Sequence, residues 1–339
     1  MSDLDTARLG AWLTAQVPEA GTITGHLRFE GGQSNPTYRI DTTSGSYVLR
    51  RKPVGVLLPS AHQVDREYRV IAALHPTGFP VPRPYGLCMD DAVIGSAFYV
   101  MEMVEGRTIW DGTMPDLAPA QRRAHYLAMI DTLADLHNTD HVAIGLEDYG
   151  RPGNYFERQV ARWTRQYRGA ETEPMPAMER LIEFLPRTVP AQDRTSIVHG
   201  DYRVDNLRFA LGTEPRVAAV LDWELSTLGD PVADLTYYLM SWVTEPEGRS
   251  GVLGCAGDVT GIPELSEMLE RYCARTGRAA PIALDWYFAF NLFRLASIVQ
   301  GIKKRVAIGT AANARAHETA ARVPMLADAA WHFAQQAGA

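Results

Sequence analysis

Cysteine is scarce in this 339-residue sequence, and long apolar runs are absent from it. The three cysteines, Cys88, Cys255 and Cys273, are widely spaced and odd in number, which argues against a disulfide framework and fits a reducing compartment. The most apolar late stretch, residues 286–299, is short and interrupted by Arg294. The N-terminal segment MSDLDTARLG is acidic and lacks the pattern of a signal peptide. We therefore expect a cytoplasmic protein that does not enter a membrane.

Positive charge is also in deficit. The chain has 33 Lys and Arg residues against 40 Asp and Glu residues, a net charge of −7. Because no general basic field is present to hold a phosphate polymer, nucleic acid is not an expected partner. Only three of the basic residues are lysines, so an arginine where enzymes often carry lysine reflects composition. A hydrophobic content of 46% is that of an ordinary globular protein.

The order of strand-like and helical patterns predicts two lobes. Three β-prone segments between residues 27 and 52 precede a helical pattern over residues 60–75, for which Ser60 can serve as the N-cap. Two further β-prone segments follow, joined by a polar turn at Asp90 and Asp91. Beyond them the sequence is mostly helical, with amphipathic patterns over residues 118–138 and 154–168. We expect an α+β fold with a small sheet-rich lobe, residues 1–104, a larger helical lobe, residues 105–339, and a site between them.

The segment HGDYRVDN, residues 199–206, carries the sharpest chemical signal. Asp201 and Asn206 lie five residues apart among β-prone neighbours, and Asp222 follows at the end of an apolar strand-like segment. Carboxylate and amide oxygens at neighbouring strand ends can hold Mg²⁺, with one carboxylate left over. Phosphoryl transfer requires this combination, because one carboxylate accepts the proton of the acceptor hydroxyl while the others hold metal on the nucleotide phosphates.

HGDYRVDN resembles the H-x-D-x-x-x-x-N catalytic loop of protein-kinase-like enzymes. The glycine after the histidine, and DWE in place of DFG, resemble the aminoglycoside phosphotransferase branch. The resemblance covers about residues 25–305 and includes GGQSNPTY, YVLRR, DREYRV, FYVMEMVEG and LDWELSTLGDPVADL. More narrowly, LRRKP, LLPSAH and ERQVARW resemble kinase-like proteins related to the N-terminal region of certain acyl-CoA dehydrogenases. The resemblance implies a bilobal protein-kinase-like fold with an antiparallel sheet and one main helix in the small lobe. It also implies transfer of phosphate from ATP, with Mg²⁺, to a hydroxyl of a small-molecule acceptor.

The resemblance assigns roles to the larger lobe's site residues. Asp201 is expected to be the catalytic base, and Asn206 and Asp222 are expected to hold Mg²⁺. His199 is interpreted as a structural residue that fixes the loop by hydrogen bonds. Glu224 lies on the same side of an extended segment as Asp222, so it either joins the metal or is an ordinary solvated carboxylate.

In the small lobe, the family position of the phosphate-binding lysine falls on Arg50. Strand alternation places Lys52 on the same face, which leaves open which of the two contacts phosphate. Glu67 lies on an otherwise apolar helical stripe with Val64 and Ile71, where a carboxylate must be paired or desolvated at a cost. A pair with Arg50 explains it, and the alternative is a solvated Glu67 at the rim.

Two weaker matches complete the expected nucleotide site. In the GGQSN turn, Gly32 exposes main-chain amides, and Ser34 and Asn35 add donors toward a phosphate, although a plain hairpin turn is the alternative. In the MEMV segment, the main chain around Glu102 and Val104 corresponds to the family hinge that binds adenine.

The helix predicted over residues 154–168 bears on the acceptor. Arg158, Arg162, Arg165 and Arg168 recur at helical spacing, which stacks them along one face. Such a cationic face repels polycationic aminoglycosides and suits an anionic acceptor such as a coenzyme A thioester, so Arg158, Arg162 and Arg165 are candidate acceptor-binding residues. A solvated charged face is the alternative. We expect a hydroxyacyl-CoA kinase; an aminoglycoside, choline-like or sugar kinase and a non-catalytic nucleotide-binding protein remain the other interpretations.

Overall fold

The computed structural model describes residues 4–29, 35–53, 63–212, 215–246, 250–281, 283–310 and 316–339. The N-terminal region contains helices α1 (Thr6–Gln16), α2 (Val64–Leu74) and α3 (Asp91–Ile94) and strands β1 (Ile23–Arg28), β2 (Thr37–Thr42), β3 (Gly45–Arg51), β4 (Pro84–Cys88) and β5 (Phe98–Glu102). The later strands are β6 (Arg107–Thr108), β7 (Ser196–Val198), β8 (Leu207–Phe209), β9 (Val217–Val220) and β10 (Thr227–Gly229). The later helices are α4 (Pro119–Asn138), α5 (Tyr155–Ala170), α6 (Pro176–Phe184), α7 (Val232–Leu239), α8 (Leu265–Thr276), α9 (Leu284–Ala307), α10 (Ala316–Ala320) and α11 (Val323–Gln336).

The N-terminal strands form one antiparallel sheet in the order β1-β2-β3-β5-β4. This confirms the predicted sequence of three strands, a helix and two strands. Ser60, the expected N-cap of α2, lies outside the described residues. The polar turn expected between β4 and β5 is instead the short helix α3, because the Asp90 carboxylate accepts a hydrogen bond from the main-chain N–H of Ala92 at 2.9 Å and so caps it.

The two faces of the sheet pack against different helices. In β3, Tyr47 and Leu49 join the core formed with α1, whereas Val48 points to the opposite core, formed with α2. Successive side chains of a strand alternate between faces, so Arg50 lies on the α2 side. Arg51 lies on the α1 side, where it donates hydrogen bonds to Ser96 and to the carbonyl of Ile94. The alternation therefore turns Arg50 toward the rest of the chain.

Helices dominate the C-terminal region, which confirms the predicted α+β, two-lobed architecture. Helix α4 packs against α8 and β7, and α9 packs against α5, α7 and α11. The short sheets β7-β10 and β6-β8-β9 present the HGDYRVDN and LDWE segments at their ends. The lobe boundary at residue 104 stays a prediction. In the part of the chain that the structure describes, no helix combines the length and the apolar character needed to cross a membrane.

Candidate active site

The HGDYRVDN segment leaves β7 as a tightly bonded loop. The carboxylate of Asp234, at the start of α7, accepts hydrogen bonds from the main-chain N–H groups of His199 at 2.6 Å and Gly200 at 2.8 Å. Gly200 has a φ of 86°, and a side chain there would come within 2.8 Å of the carbonyl oxygen of Leu225. Glycine at this position is therefore required by the backbone and by the close approach of a neighbouring segment.

His199 joins the loop to the strand that precedes Asp222. Its Nε2 hydrogen-bonds to the carbonyl of Leu221 at 2.9 Å, and its Nδ1 accepts from the main-chain N–H of Asp201 at 3.2 Å. The imidazole is fully buried, and both ring nitrogens are used. This arrangement confirms the structural interpretation of His199.

Both carboxylate oxygens of Asp201 are held by hydrogen bonds. Oδ1 accepts from the hydroxyl of Tyr237 at 2.7 Å, and Oδ2 accepts from Nδ2 of Asn206 at 3.0 Å. The guanidinium of Arg203 lies 3.5 Å from Oδ2. The carboxylate is thus oriented by groups from the loop itself and from α7.

Asp201, Asn206 and Asp222 meet at the ends of neighbouring strands. Asn206 precedes β8 directly, and its carbonyl accepts a hydrogen bond from Leu221 at 2.9 Å, which places it beside the segment that carries Asp222. Asp222 has a φ of 66°, in the left-handed region that is costly for most residues but that Asp tolerates better than most. The structure therefore brings the three predicted residues together.

Arg50 lies at the centre of an ionic cluster, hereafter the Arg50 cluster, formed with Glu67, Asp222 and Glu224. Its Nε lies 2.7 Å from Glu67, and one terminal nitrogen lies 2.7 Å from Asp222 and 3.2 Å from Glu224. The predicted Arg50–Glu67 ion pair is thus present. For Lys52 the described residues show only main-chain bonds, to Ala97 and from Ser96.

Burial shifts the protonation of this cluster. Burial raises the pKa of Glu67 to about 7, although Arg50 opposes the shift. Glu67 also accepts hydrogen bonds from Asn35 at 2.6 Å and from the hydroxyl of Tyr99 at 3.1 Å. Burial alone would lower the pKa of Arg50, but Glu67 and the other carboxylates outweigh it and raise the pKa. Arg50 is therefore a permanent cation.

The donor set suits Mg²⁺ that is shared with a nucleotide. Nδ2 of Asn206 is turned to the carbonyl and carboxylate of Asp201, which leaves its Oδ1 available as a hard oxygen ligand. The Asp222 side chain is 37% exposed, so a ligand can reach it. Across the described ranges, no three His, Cys, Asp or Glu side chains form a metal site by themselves. The protein residues therefore fit a Mg²⁺ ion that takes further oxygens from phosphate and water.

The remaining nucleotide-site predictions fall at the edge of what is described. Gly32 and Ser34 lie outside the described residues. Glu102 ends β5, where its carboxylate accepts a hydrogen bond from the N–H of Arg83 at 3.1 Å, and the carbonyl of Val104 accepts one from Arg208 at 3.3 Å. These contacts place the predicted hinge between the sheet and β8.

The arginines of α5 do not form the uniform face that their spacing suggests. Arg168 forms ion pairs with Glu171 and Glu179, and Arg158 donates to the main-chain carbonyls of Arg151 and Gly153. Arg165 is exposed. The reason is tertiary, because Arg158 and Arg168 each meet a different neighbouring segment.

Arg162 is exposed and lies near Arg294, which contacts the catalytic loop. Its guanidinium lies over the Trp163 ring, 5.0 Å from the centroid, and desolvation and the nearby Arg294 both lower its pKa. Arg294, which is 7% exposed, donates to the carbonyl of Gly200 and lies 5.0 Å from the ring centroid of Tyr237. Among the described residues Nε of Arg294 has no hydrogen-bond partner, and neither arginine pairs with a carboxylate. Arg294 thus lies one side chain away from Asp201, with Tyr237 between them, and Arg162 lies near Arg294.

Sequence patterns did not identify Asp234, Tyr237 or Arg294 as site residues. Asp234 lies 34 residues beyond Gly200, and Arg294 lies 94 residues beyond it. No local spacing connects such positions. A polar signal existed, since all three interrupt apolar helical stretches.

The chain is similar to known phosphotransferases. A model of the "phosphotransferase enzyme family" matches residues 26–280. Mouse acyl-CoA dehydrogenase family member 10 is 45% identical over 92% of this chain, and chicken acyl-CoA dehydrogenase family member 11 is 44% identical over 89%. The match spans only 29% and 39% of these relatives' own lengths.

Solved structures show the same fold. A protein from Ralstonia eutropha, described as a candidate aminoglycoside phosphotransferase, superposes with a TM-score of 0.90 at 46% identity and covers 98% of this chain and 99% of its own. A spectinomycin phosphotransferase, solved with ADP and spectinomycin, has a TM-score of 0.62 at 14% identity and covers 97% of this chain and 98% of its own. The second likeness concerns the fold alone, and together they confirm a protein-kinase-like architecture.

Proposed function

Because the chain belongs to the phosphotransferase enzyme family, it is a phosphotransferase with an alcohol group as acceptor, and we propose that it transfers the γ-phosphoryl group of ATP, with Mg²⁺, to the hydroxyl of a hydroxyacyl-CoA. The convergence of Asp201, Asn206 and Asp222 supports the reaction type. The observation that carries the acceptor class is a pair of neighbouring guanidinium groups that have no ion-pair partner among the described residues. Arg294 lies one side chain from the proposed base, and Arg162 lies near Arg294.

On the nucleotide side, each residue has a role that its contacts support. Asp201 accepts the proton as the acceptor oxygen bonds to the γ-phosphorus and ADP leaves. Asn206 and Asp222 would hold Mg²⁺, with Glu224 near enough to join them, and the bound ion would neutralise charge on the phosphates. Arg50, fixed by Glu67, would contact the phosphates in preference to Lys52, because Arg50 is the one directed at Asp222.

The phosphates and adenine would meet the small lobe. The turn that contains Gly32, Ser34 and Asn35 would supply donors to the phosphates. The main chain near Glu102 and Val104 would bind adenine. These assignments follow the family resemblance, and the position of Glu102 at the end of β5 agrees with them.

On the acceptor side, the local charge favours an anion. Arg162 and Arg294 can donate to the thioester carbonyl or to phosphate oxygens, and they would repel a polycationic aminoglycoside. Arg158 lies one turn earlier on α5 and Arg165 about one turn later, both in reach of a long acceptor. The matched relatives carry acyl-CoA dehydrogenase names, and an acyl-CoA kinase region would share their substrate class.

The proposal is tested with purified protein, ATP and Mg²⁺. With 4-hydroxyacyl-CoA we expect ADP and a phosphorylated thioester, detected by mass spectrometry, and no turnover of kanamycin-type compounds, choline or sugars. Turnover of an aminoglycoside without turnover of the thioester would exclude the acyl-CoA. Nucleotide binding without turnover of any acceptor would indicate a non-catalytic nucleotide-binding protein.

A further inference from the structure

A second cationic site lies beside the acceptor region. A cavity of about 370 Å³ opens where α2, the segment before α5, and β10 meet. The residues that decide its character are Arg66, Asp148, Tyr149, Arg151, Arg158 and Thr227. Apart from Arg158, the proposed reaction gives the residues of this cavity no role.

The cavity carries more positive charge than its own acids compensate. The one carboxylate in the lining, Asp148, forms an ion pair with Arg69, which does not line the cavity. The hydrogen bond from Arg69 lowers the pKa of Asp148. For Arg66, Arg151 and Arg158 the described residues provide no ion-pair partner. Three guanidinium groups therefore share one cavity with a single carboxylate, which is ion-paired with Arg69.

Two of these arginines are also held in position. Arg66 donates to the carbonyl of Tyr149 at 2.6 Å and stacks over its ring, 4.4 Å from the centroid. Arg158 donates to the carbonyl of Arg151 at 2.6 Å and to that of Gly153. A guanidinium has five N–H donors, so these bonds fix its orientation and leave donors for a ligand. Arginines that are held and uncompensated suit bidentate recognition of phosphate.

The cavity lies within reach of the proposed base. Thr227 pairs in strand register with Val198, and the three residues from Val198 to Asp201 span at most about 10 Å. Arg158 is also one helical turn from Arg162, and Arg162 lies near Arg294, which donates to the carbonyl of Gly200 in the catalytic loop. An extended acceptor can thus present its hydroxyl to Asp201 and its other end to the cavity.

We propose that this cavity binds the phosphate groups of the acceptor, at the end remote from the hydroxyl that is phosphorylated. The inference rests on the proposed function, since in a hydroxyacyl-CoA these groups belong to the adenosine phosphate part of coenzyme A. The pantetheine arm then runs along α5 from Arg158 past Arg162.

Binding and turnover are measured separately. Calorimetry with free coenzyme A, dephospho-coenzyme A and pantetheine is performed on the wild type and on Arg151→Gln and Arg158→Gln. Arg168→Gln is the matched control, because its guanidinium is on the same helix but already paired with Glu179. We expect the Kd for coenzyme A to rise at least about tenfold in the first two variants and not in the control. Dephospho-coenzyme A lacks the 3′-phosphate, so its Kd shows whether the variants lose a contact to the pyrophosphate or to the 3′-phosphate.

In turnover, KM for hydroxyacyl-CoA should rise in both cavity variants toward that for hydroxyacyl-pantetheine. In Arg151→Gln the KM and kcat for hydroxyacyl-pantetheine should not change. Coenzyme A that binds equally to all variants, or that does not bind to the wild type, would overturn the inference. Turnover of both thioesters with equal KM would also overturn it while the proposed function stands. Failure of the proposed function shows differently, as no turnover of either thioester, and calorimetry still decides the cavity.

Discussion

The two sides of Asp201 differ in how their charges are compensated. On the nucleotide side, Arg50 faces three carboxylates, those of Glu67, Asp222 and Glu224, within 3.2 Å. On the acceptor side, Arg162 and Arg294 lie near each other, and the described residues provide neither with an ion-pair partner. Asp201 joins the two, because it bonds to Asn206 on one side and to Tyr237 on the other.

This difference agrees with what we propose that each side binds. The Arg50 cluster has a surplus of two negative charges when all its groups are ionised, which matches a divalent cation that arrives with a nucleotide. The acceptor side has a surplus of positive charge, which an anion or a strong oxygen acceptor relieves.

The largest expected effect is at Asp201, which joins the two sides. Asp201→Asn should lower kcat by about 10²–10⁴-fold, because the amide preserves the shape of the side chain but cannot take the proton of the acceptor. Nucleotide affinity, measured by calorimetry, should be nearly unchanged, since the base acts on the acceptor. A variant with full kcat would exclude Asp201 as the base.

Asp222→Asn is the matched comparison on the nucleotide side. It should weaken nucleotide binding at least about tenfold when Mg²⁺ is present and have little effect in its absence. If Asp201→Asn and Asp222→Asn change nucleotide affinity by the same factor, the two residues do not have the separate roles proposed for them.

A smaller effect, on KM, is expected from a comparison of two arginines of α5, one that has an ion-pair partner and one that does not. Arg162→Gln should raise KM for a hydroxyacyl-CoA about tenfold with little change in kcat, because a charge-assisted contact to the acceptor is lost. Arg168→Gln, which removes an exposed ion pair with Glu179, should leave KM unchanged. Equal KM values in both variants would show that the charge on α5 is only a solvated surface.

Local patterns predicted the elements and the motif residues well. The helices expected over residues 118–138 and 154–168 are Pro119–Asn138 and Tyr155–Ala170, because a 3.6-residue apolar period is a local property. The Arg50–Glu67 pair was predictable for a similar reason, since a carboxylate on an apolar stripe requires a partner.

The proximity of the arginines on the proposed acceptor side could not be predicted from local patterns. Arg162 and Arg294 are separated by 132 positions of sequence, and only the packing of α5 on α9 brings them together. The same limit explains why spacing suggested one arginine face on α5. Helical spacing fixes which side chains share a face, but it carries no information on which carboxylates other segments bring to it.

A separate expected effect, on stability instead of activity, concerns the pH dependence of the Arg50 cluster. Burial raises the pKa of Glu67 from an ordinary 4.5 to about 7, so the folded state holds a proton more strongly than the unfolded chain does. This contribution to stability is complete below about pH 4.5 and is lost as the pH rises through about 7; it amounts to on the order of 3 kcal/mol. Glu67→Gln lacks this contribution, so the Tm of the wild type relative to the variant should fall between about pH 5 and pH 8.

The control for this measurement is Glu183→Gln, which makes the same substitution at an exposed position on α6. If the Tm of the wild type relative to Glu67→Gln instead rises with pH, the pKa of Glu67 is lowered by folding and not raised. It would mean that Arg50, Asn35 and Tyr99 stabilise the carboxylate by more than burial destabilises it. The nucleotide side would then be fully ionised at all working pH values, and its contrast with the acceptor side would be larger than the pKa of Glu67 indicates.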